Sequence, residues 1–232
     1  MIEKIKITDS LDFFMRKWVV HEMYCNLSNA WSFTINNDVK SRMTRQISIQ
    51  IVKIYRDLES LISSVNDLQK SIELIGGDAV EGVINVERHY DVCIIRFRRY
   101  DEIINSCKRE LVGPSDALLI FPELKSMISR LTSQGSKLSR MYGLKRNIIM
   151  HERSHSIQLG SVAMILDLID ESRSSEVSMH FGFDSKQDLI RQVVNKAISE
   201  YNLIREHVNI IVGEFNSLCD HMMFEINHIE GG

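Results

Sequence analysis

The amino-acid sequence predicts an all-α protein, a helical bundle with three long helices and several shorter ones. Apolar residues recur at steps of three and four residues over long stretches, whereas apolar residues on one face of a strand would recur at step two. The 232 residues contain only two prolines, Pro114 and Pro122, so little interrupts these stretches. Because 44% of the residues are apolar, the chain can bury a substantial core.

The first long helix is expected from about Asp38 to Gly76 and Gly77, where the glycines would cap its C-terminus. Its apolar residues follow each other at alternating steps of four and three, which places them on one face of a helix. They are Ile47, Ile51, Ile54, Leu58, Leu61, Val65, Leu68 and Ile72. We expect this stripe to face the core.

The second long helix is expected from about Asp78 to Leu111, and the last from about Ser185 to Ile229. Both carry apolar residues at the helical period. The stripe of the second helix consists of Val83, Val86, Tyr90, Ile94, Phe97, Ile104 and Cys107. The stripe of the last helix consists of Ile190, Val194, Ala197, Tyr201, Ile204, Val208, Ile211, Phe215, Leu218 and Met222.

Shorter helices are expected to complete the bundle. They are Ser10 to about Thr34, Pro122 to about Leu131, Lys137 to about Ser154, and Ser161 to Ser172. The segment VSMHFGF at 177–183 alternates weakly, which suits a strand and a loop equally. We expect a single domain over residues 1–232, with VGPSD at 112–116 as the place where a subdivision would fall.

Charge and cysteine usage favour a cytoplasmic protein. The net charge of −3 gives the whole chain no attraction to nucleic acid or to an anionic membrane, so such a contact would need a local patch. No segment of the sequence is apolar over a length that spans a bilayer, so we expect no membrane contact. The cysteines lack the spacing of a zinc site or a disulfide framework and are predicted to be buried and reduced. They are Cys25, Cys93, Cys107 and Cys219.

The segment LKRNIIMHERSH at 144–155 contains two overlapping active-site patterns. One is H-E-x-x-H, formed by His151, Glu152 and His155, in which two histidines would bind zinc and the glutamate would activate water. Such a site needs a third ligand, but the only nearby glycine, Gly160, does not introduce the extended motif. The pattern also carries the charged Arg153 at a position that would lie behind the metal. A zinc hydrolase is therefore the less favoured of the two interpretations.

The other pattern, R-N-x-x-x-H, supplies the groups for cleaving RNA without a metal or any other cofactor. Such cleavage needs a group that moves protons near neutral pH and a cation for the phosphate. His151 suits the proton transfer, and Arg146 offers a permanent charge and a planar fork to phosphate oxygens. Asn147 lies four residues before His151 and shares its helix face.

The segment RNIIMH at 146–151 resembles the R-x(4-6)-H motif of the HEPN superfamily. That family consists of all-helical proteins that include toxins of toxin–antitoxin pairs, anti-phage abortive-infection proteins and nuclease parts of some CRISPR effectors. The resemblance implies an endoribonuclease whose composite site lies across a homodimer, and a possible antitoxin or regulatory protein as partner. It also implies that Arg146 contacts the scissile phosphate, that His151 transfers a proton and that Asn147 orients the site. Some HEPN toxins carry a modified Tyr two residues after the His, where this chain has Arg153.

A local basic patch precedes the motif. Between Leu124 and His151 there are six Lys or Arg residues and no Asp or Glu, so an RNA backbone would be attracted there. The predicted RNA-binding residues are Lys125, Arg130, Lys137, Arg140, Lys145 and Arg153. Two alternatives stay open: a non-catalytic helical module that binds RNA or a protein, and a structural role in which His151 is a surface histidine.

A second basic segment, IIRFRRY at 94–100, resembles a strip of alternating basic and aromatic residues. On a helix, however, Ile94, Phe97 and Tyr100 would pack inwards, whereas the arginines would point elsewhere. We therefore expect Arg96, Arg98 and Arg99 to belong to a solvated face or to the rim of a dimer.

Overall fold

The computed structural model describes residues 20–21, 25, 39–75, 79–112, 122–143 and 186–230. These residues form four numbered helices and contain no strand, which confirms the predicted all-α helical bundle. The helices are α1 (Val39–Leu74), α2 (Ala79–Val112), α3 (Pro122–Met141) and α4 (Lys186–Glu230). The three long helices predicted from the apolar period are α1, α2 and α4, and each observed end lies within two or three residues of the predicted one.

The predicted apolar stripes form the core of the described residues. Every residue of the α1 stripe is at most 1% exposed, and every residue of the α4 stripe is buried. The α2 stripe is also buried except for Tyr90, which is half-buried because its hydroxyl group donates a hydrogen bond to the carboxylate of Glu200. Burial of aliphatic side chains contributes about 1.5–3 kcal/mol for each one, so these stripes provide the largest favourable contribution to folding.

A single helix, α3, stands where two shorter helices were predicted, Pro122 to Leu131 and Lys137 to Ser154. The break predicted between them is wrong. The residues between the two predicted helices, TSQGS at 132–136, are helix-unfavourable by themselves, but three of them have specific contacts within the fold. The described part of the chain follows α3 only as far as residue 143.

Three residues of that segment explain why the helix continues. Thr132 is buried, and its hydroxyl group donates to the carbonyl oxygen four residues earlier, 2.7 Å away. Gly135 packs against the ring of Tyr100, where an added Cβ would lie only 3.1 Å from Cε1. Ser136 donates from Oγ to Oδ1 of the buried Asp101, 2.8 Å away. Tertiary partners on α2 therefore stabilise a helix that local propensity disfavours.

The chain divides into two compact units, and the divisions fall inside the long helices. Unit 1 consists of Met1–Leu11, Ile62–Ile95 and Met141–Glu206, and unit 2 consists of Asp12–Leu61, Arg96–Arg140 and His207–Gly232. The subdivision expected near 112–116 falls almost wholly outside the described residues, so the single domain stays a prediction.

In unit 1, α1 ends close to the start of α2. Ile75 donates its backbone N–H to the carbonyl oxygen of Ile72, 3.4 Å away, which closes the last turn. Gly82 lies against this turn, and a Cβ at position 82 would come within 2.8 Å of the Ile75 Cα atom. Only glycine permits this approach of the two backbones without a shift.

In unit 2, aromatic rings fill the space between the helices. Tyr55 of α1 and Phe215 of α4 have ring centroids 6.2 Å apart, a distance typical of attractive aromatic pairs. Phe215 and Phe97 are both almost completely buried.

In the described segments, no helix combines the length and the apolar composition needed to cross a membrane.

Other expectations concern segments outside the described residues. The helices expected at Ser161 to Ser172 and, apart from residues 20, 21 and 25, at Ser10 to Thr34 belong to this group, as does the strand or loop at 177–183. None of the four cysteines forms a disulfide bond, and three are buried as predicted, but Cys25 is only partly buried.

Candidate nucleic-acid interface

The amphipathic helix α3 carries four of the six predicted RNA-binding residues. Its buried face consists of Leu124, Ile128, Leu131, Thr132, Gly135 and Leu138. The four cations, Lys125, Arg130, Lys137 and Arg140, are all exposed. At 100° per residue they fall within a sector of about 140° on the side of the helix opposite the core. We call this set the α3 basic face.

The cations of the α3 basic face differ in their surroundings. Arg130 donates from Nε to Glu214 Oε2 on α4, 2.7 Å away, so part of its charge is compensated. Arg140 donates from Nε to the backbone carbonyl of Ser136, 3.2 Å away, which leaves its charge without a carboxylate partner among the described residues. Lys125 and Lys137 likewise form no ion pair with a described residue. Three of the four charges are therefore available to a polyanion.

Serines occupy much of the surface between these cations. Five serines lie on α3 and none of them is buried: Ser126, Ser129, Ser133, Ser136 and Ser139. Ser126 and Ser136 already donate their hydroxyl hydrogens within the protein, to the carbonyl oxygen of Glu123 and to Asp101. The hydroxyl groups of the other three can donate to phosphate oxygens without adding negative charge. The only carboxylate of α3, Glu123, lies in the first turn, where the helix dipole favours it, 3.8 Å from His221 Nδ1. The remaining surface of α3 is thus chemically suited to an RNA backbone.

The predicted catalytic residues Arg146, Asn147 and His151 lie outside the described residues, as do Lys145 and Arg153. The same holds for His151, Glu152 and His155 as zinc ligands. Within the described part of the chain, no group of three His, Cys, Asp or Glu side chains is arranged to hold a metal ion. The arrangement of the R-N-x-x-x-H motif stays a prediction.

Close to the motif in sequence, the described residues include a tyrosine that belongs to a polar cluster of unit 1. Tyr142, four residues before Arg146, is buried, and its ring packs edge-on against Tyr90 with centroids 6.3 Å apart. Tyr90 donates from its hydroxyl group to Glu200 Oε2 over 3.0 Å. Burial, and after it the Glu200 carboxylate, raises the pKa of both phenols, so both stay protonated at neutral pH.

An acidic pair on α2, Glu87 and Asp91, belongs to the same unit. Burial raises the pKa of Asp91 to about 6, with a further contribution from the Glu87 carboxylate one helical turn away. Asp91 therefore exchanges a proton close to neutral pH, which sequence reasoning did not single out. The sequence pattern that could have indicated this pair is the E-x-x-x-D spacing, which places two carboxylates on one helix face.

The thiols of Cys93 and Cys107 are unsuited to nucleophilic catalysis. Burial raises the pKa of Cys107 to about 11 and also raises that of Cys93, so both are protonated at neutral pH. This agrees with the prediction of buried, reduced cysteines at these two positions.

The arginines of IIRFRRY lie where the helical period places them. Ile94, Phe97 and Tyr100 are each 1% exposed, whereas Arg98 and Arg99 are exposed. Both arginines form ion pairs, Arg98 with Glu102 over 2.7 Å and Arg99 with a carboxylate of α1. The predicted packing of the segment is confirmed.

No protein-family model, curated protein or solved structure matches this chain.

Proposed function

We propose that this chain binds RNA through the α3 basic face and cleaves it without a metal ion, with Arg146 and His151 as catalytic residues. The observation that carries the proposal is the α3 basic face itself, because it presents cations and serines on one side of a helix that ends five residues before Arg146. The all-α fold is consistent with the resemblance of RNIIMH to the HEPN motif.

In this proposal the roles follow from side-chain chemistry. The guanidinium group of Arg146 neutralises the charge that develops on the phosphate, and the imidazole of His151 moves the proton between the ribose 2'-hydroxyl and the leaving 5'-oxygen. Asn147 holds the motif in position. With one R-N-x-x-x-H copy in each chain, two chains would form a composite site. The cellular role we propose is a cytoplasmic ribonuclease of a toxin–antitoxin or anti-phage system.

The α3 basic face can be tested separately from catalysis by the salt dependence of RNA binding. For single-stranded RNA, log K falls with log salt by about 0.7 for each phosphate contact. A Lys137→Gln/Arg140→Gln variant should therefore bind single-stranded RNA more weakly at low salt, with a slope that is smaller by about 1.4. The measurement is fluorescence anisotropy of a labelled RNA at several salt concentrations.

The matched control is Arg88→Gln, an exposed arginine on α2 in the other unit, which should leave both affinity and slope unchanged. Equal weakening by both variants would mean that RNA senses only the overall charge, and the α3 basic face would lose its proposed role.

A non-catalytic RNA-binding module is the second candidate, because the α3 basic face provides binding groups that do not depend on the motif. In that case, binding would persist and no cleavage would be seen with the wild type or with Arg146→Ala and His151→Ala. The ribonuclease proposal instead expects each substitution to abolish cleavage while RNA binding is retained. Glu152→Ala should have little effect, since the zinc hydrolase alone requires that carboxylate.

A further inference from the structure

A cleft in unit 2 lies between α1 and α2, and three cations line it. The cleft has a volume of about 290 Å³, and its charged lining residues are Lys53, Arg56, Arg99 and the carboxylate of Asp57. Gln50, Ser60, Ser106 and Cys107 provide polar groups, and Ile103 provides an apolar side chain. The three cations outnumber the two carboxylates at the cleft, Asp57 in its lining and Glu110 beside Lys53.

The helical register explains why these side chains converge. Lys53, Arg56 and Ser60 follow each other on α1 at steps of three and four, so they share one face. Arg99 and Ile103 do the same on α2. Gln50 contacts Cys107, and Asp57, later on α1, contacts Arg99, earlier on α2. The two helices are therefore antiparallel here. Helix α1 thus presents two cations to the cleft, and α2 presents one, Arg99.

The cations of the cleft keep much of their charge accessible. Arg56 is exposed and forms no ion pair with any described residue. The contact between Lys53 Nζ and Glu110 is 3.8 Å long and about half exposed on both sides, so it compensates the ammonium charge only weakly. Arg99 uses Nε to reach Asp57 Oδ1 over 2.8 Å while remaining 61% exposed. Its fork therefore has capacity for a further acceptor.

The floor of the cleft is a fixed polar network. Gln50 is 6% exposed, and its side-chain amide donates to Glu110 Oε2. Its other side-chain atom, Oε1, accepts a hydrogen bond from the Cys107 thiol, with Sγ and Oε1 3.3 Å apart. Asp57 is buried and holds Arg99 in place. An exposed cation that a buried carboxylate orients, as Asp57 orients Arg99, is the arrangement expected of a preformed anion site.

We propose that this cleft is an anion-binding site that takes a phosphate group. Arginine forks match the geometry of phosphate oxygens, and the lysine adds a point charge. The volume lies at the lower end of the range for small-ligand sites, which suits one phosphate or pyrophosphate group with the atoms next to it. The phosphate can belong to an RNA backbone or to a free phosphate compound. The proposal requires neither Arg146 nor His151.

The experiment measures binding of inorganic pyrophosphate to the full chain by calorimetry at low salt, and binding of a short RNA without terminal phosphates by anisotropy. Wild type should bind pyrophosphate, and an Arg56→Gln/Arg99→Gln variant should bind it about tenfold or more weakly, the loss typical for removing charged hydrogen bonds. Arg88→Gln should bind like wild type. Because Arg99→Gln also removes the cation that pairs with the buried Asp57, circular dichroism at the assay temperature checks that the helical fold is retained.

The two probes distinguish the source of the phosphate. Weaker binding of both probes in the double variant would assign an RNA backbone phosphate to the cleft, and weaker binding of pyrophosphate alone would assign a free phosphate compound. Absence of pyrophosphate binding in wild type, or equal binding by wild type and the double variant, would overturn the proposal. No arm depends on RNA cleavage, so a failure of the ribonuclease proposal is seen separately.

Discussion

Two buried carboxylates of unit 2 and two half-buried carboxylates of unit 1 have opposite electrostatic surroundings. In unit 2, Asp57 is held by the guanidinium group of Arg99, and Asp101 accepts from Ser136 at 2.8 Å with Arg98 3.7 Å away. In unit 1, Glu200 accepts from a tyrosine hydroxyl group, and Asp91 has the carboxylate of Glu87 as its charged neighbour.

This difference indicates which unit could bind anions and which could exchange protons. A carboxylate that is held by cations serves as an anchor, and in unit 2 such anchors orient arginines towards solvent, where phosphates can reach them. A carboxylate next to phenols and another carboxylate is pushed towards its neutral form, as Asp91 is. Asp91 of unit 1 is thus suited to exchanging a proton near neutral pH, and the oriented arginines of unit 2 are suited to binding anions.

The largest stability effect is expected in the core of unit 2. Phe215→Ala removes an almost fully buried ring that packs on Tyr55, and it should lower the free energy of unfolding by about 3–5 kcal/mol. Phe224→Ala, on the same helix but 57% exposed, should change it by about 0.5 kcal/mol or less. Urea unfolding followed by circular dichroism measures both. Similar losses for the two variants would contradict the packing described for α4.

The contact between the end of α1 and the start of α2 predicts the next effect, in unit 1. Gly82→Ala places a methyl group 2.8 Å from the Ile75 Cα atom and should destabilise the fold by about 1–3 kcal/mol. Gly213→Ala on α4 meets no atom within 4 Å and should stabilise the fold by up to about 1 kcal/mol, because alanine favours a helix. Thermal unfolding should therefore shift in opposite directions. A gain in stability for both variants would disprove the close approach.

The comparison of carboxylates predicts a smaller, pH-dependent effect. The folded-state pKa of Asp91, about 6, lies above its ordinary value of 3.8, so folding favours the protonated form. The stabilisation is complete below pH 3.8 and is lost as pH rises through 6. Asp91→Asn keeps a neutral side chain at every pH, so its advantage over wild type should grow between pH 4 and 7 to about 1 kcal/mol, after allowance for partial solvent exposure.

Unfolding titrations of wild type and Asp91→Asn at several pH values test this. The matched control is Asp57→Asn, since that carboxylate holds Arg99 and its loss should destabilise the fold at neutral pH. If Asp91→Asn lost stability relative to wild type as pH rose, the carboxylate would have an undetected cationic partner.

The long helices could be predicted because the apolar period that indicates a helix is visible within each segment of the sequence. The stripe from Ile47 to Ile72 repeats at the helical period over seven turns, and burial follows from that period alone. The break expected within α3 was wrong because Gly135 and Ser136 take their roles from Tyr100 and Asp101, which lie on another helix. Propensity at one position cannot report such a partner.

The candidate sites divide in the same way. Although the single helix α3 was not predicted, its four cations were predicted as a basic patch, because they are neighbours in sequence. The cleft was not, because Arg56 and Arg99 lie on different helices and meet only through the antiparallel packing of α1 and α2. The pairing of Arg130 with Glu214 was equally hidden from sequence reasoning.

Cleavage of a mixed-sequence RNA in the presence of EDTA tests the ribonuclease proposal most directly. Purified wild type and His151→Ala are compared side by side, and the ends of the products are identified chemically. If the chain is a metal-independent ribonuclease, we expect cleavage by wild type alone. The products should have 2',3'-cyclic phosphate ends, because the 2'-hydroxyl attacks the phosphate without a metal ion. Equal cleavage by both proteins, or no cleavage by wild type while it binds RNA, would contradict the assignment of His151 to catalysis.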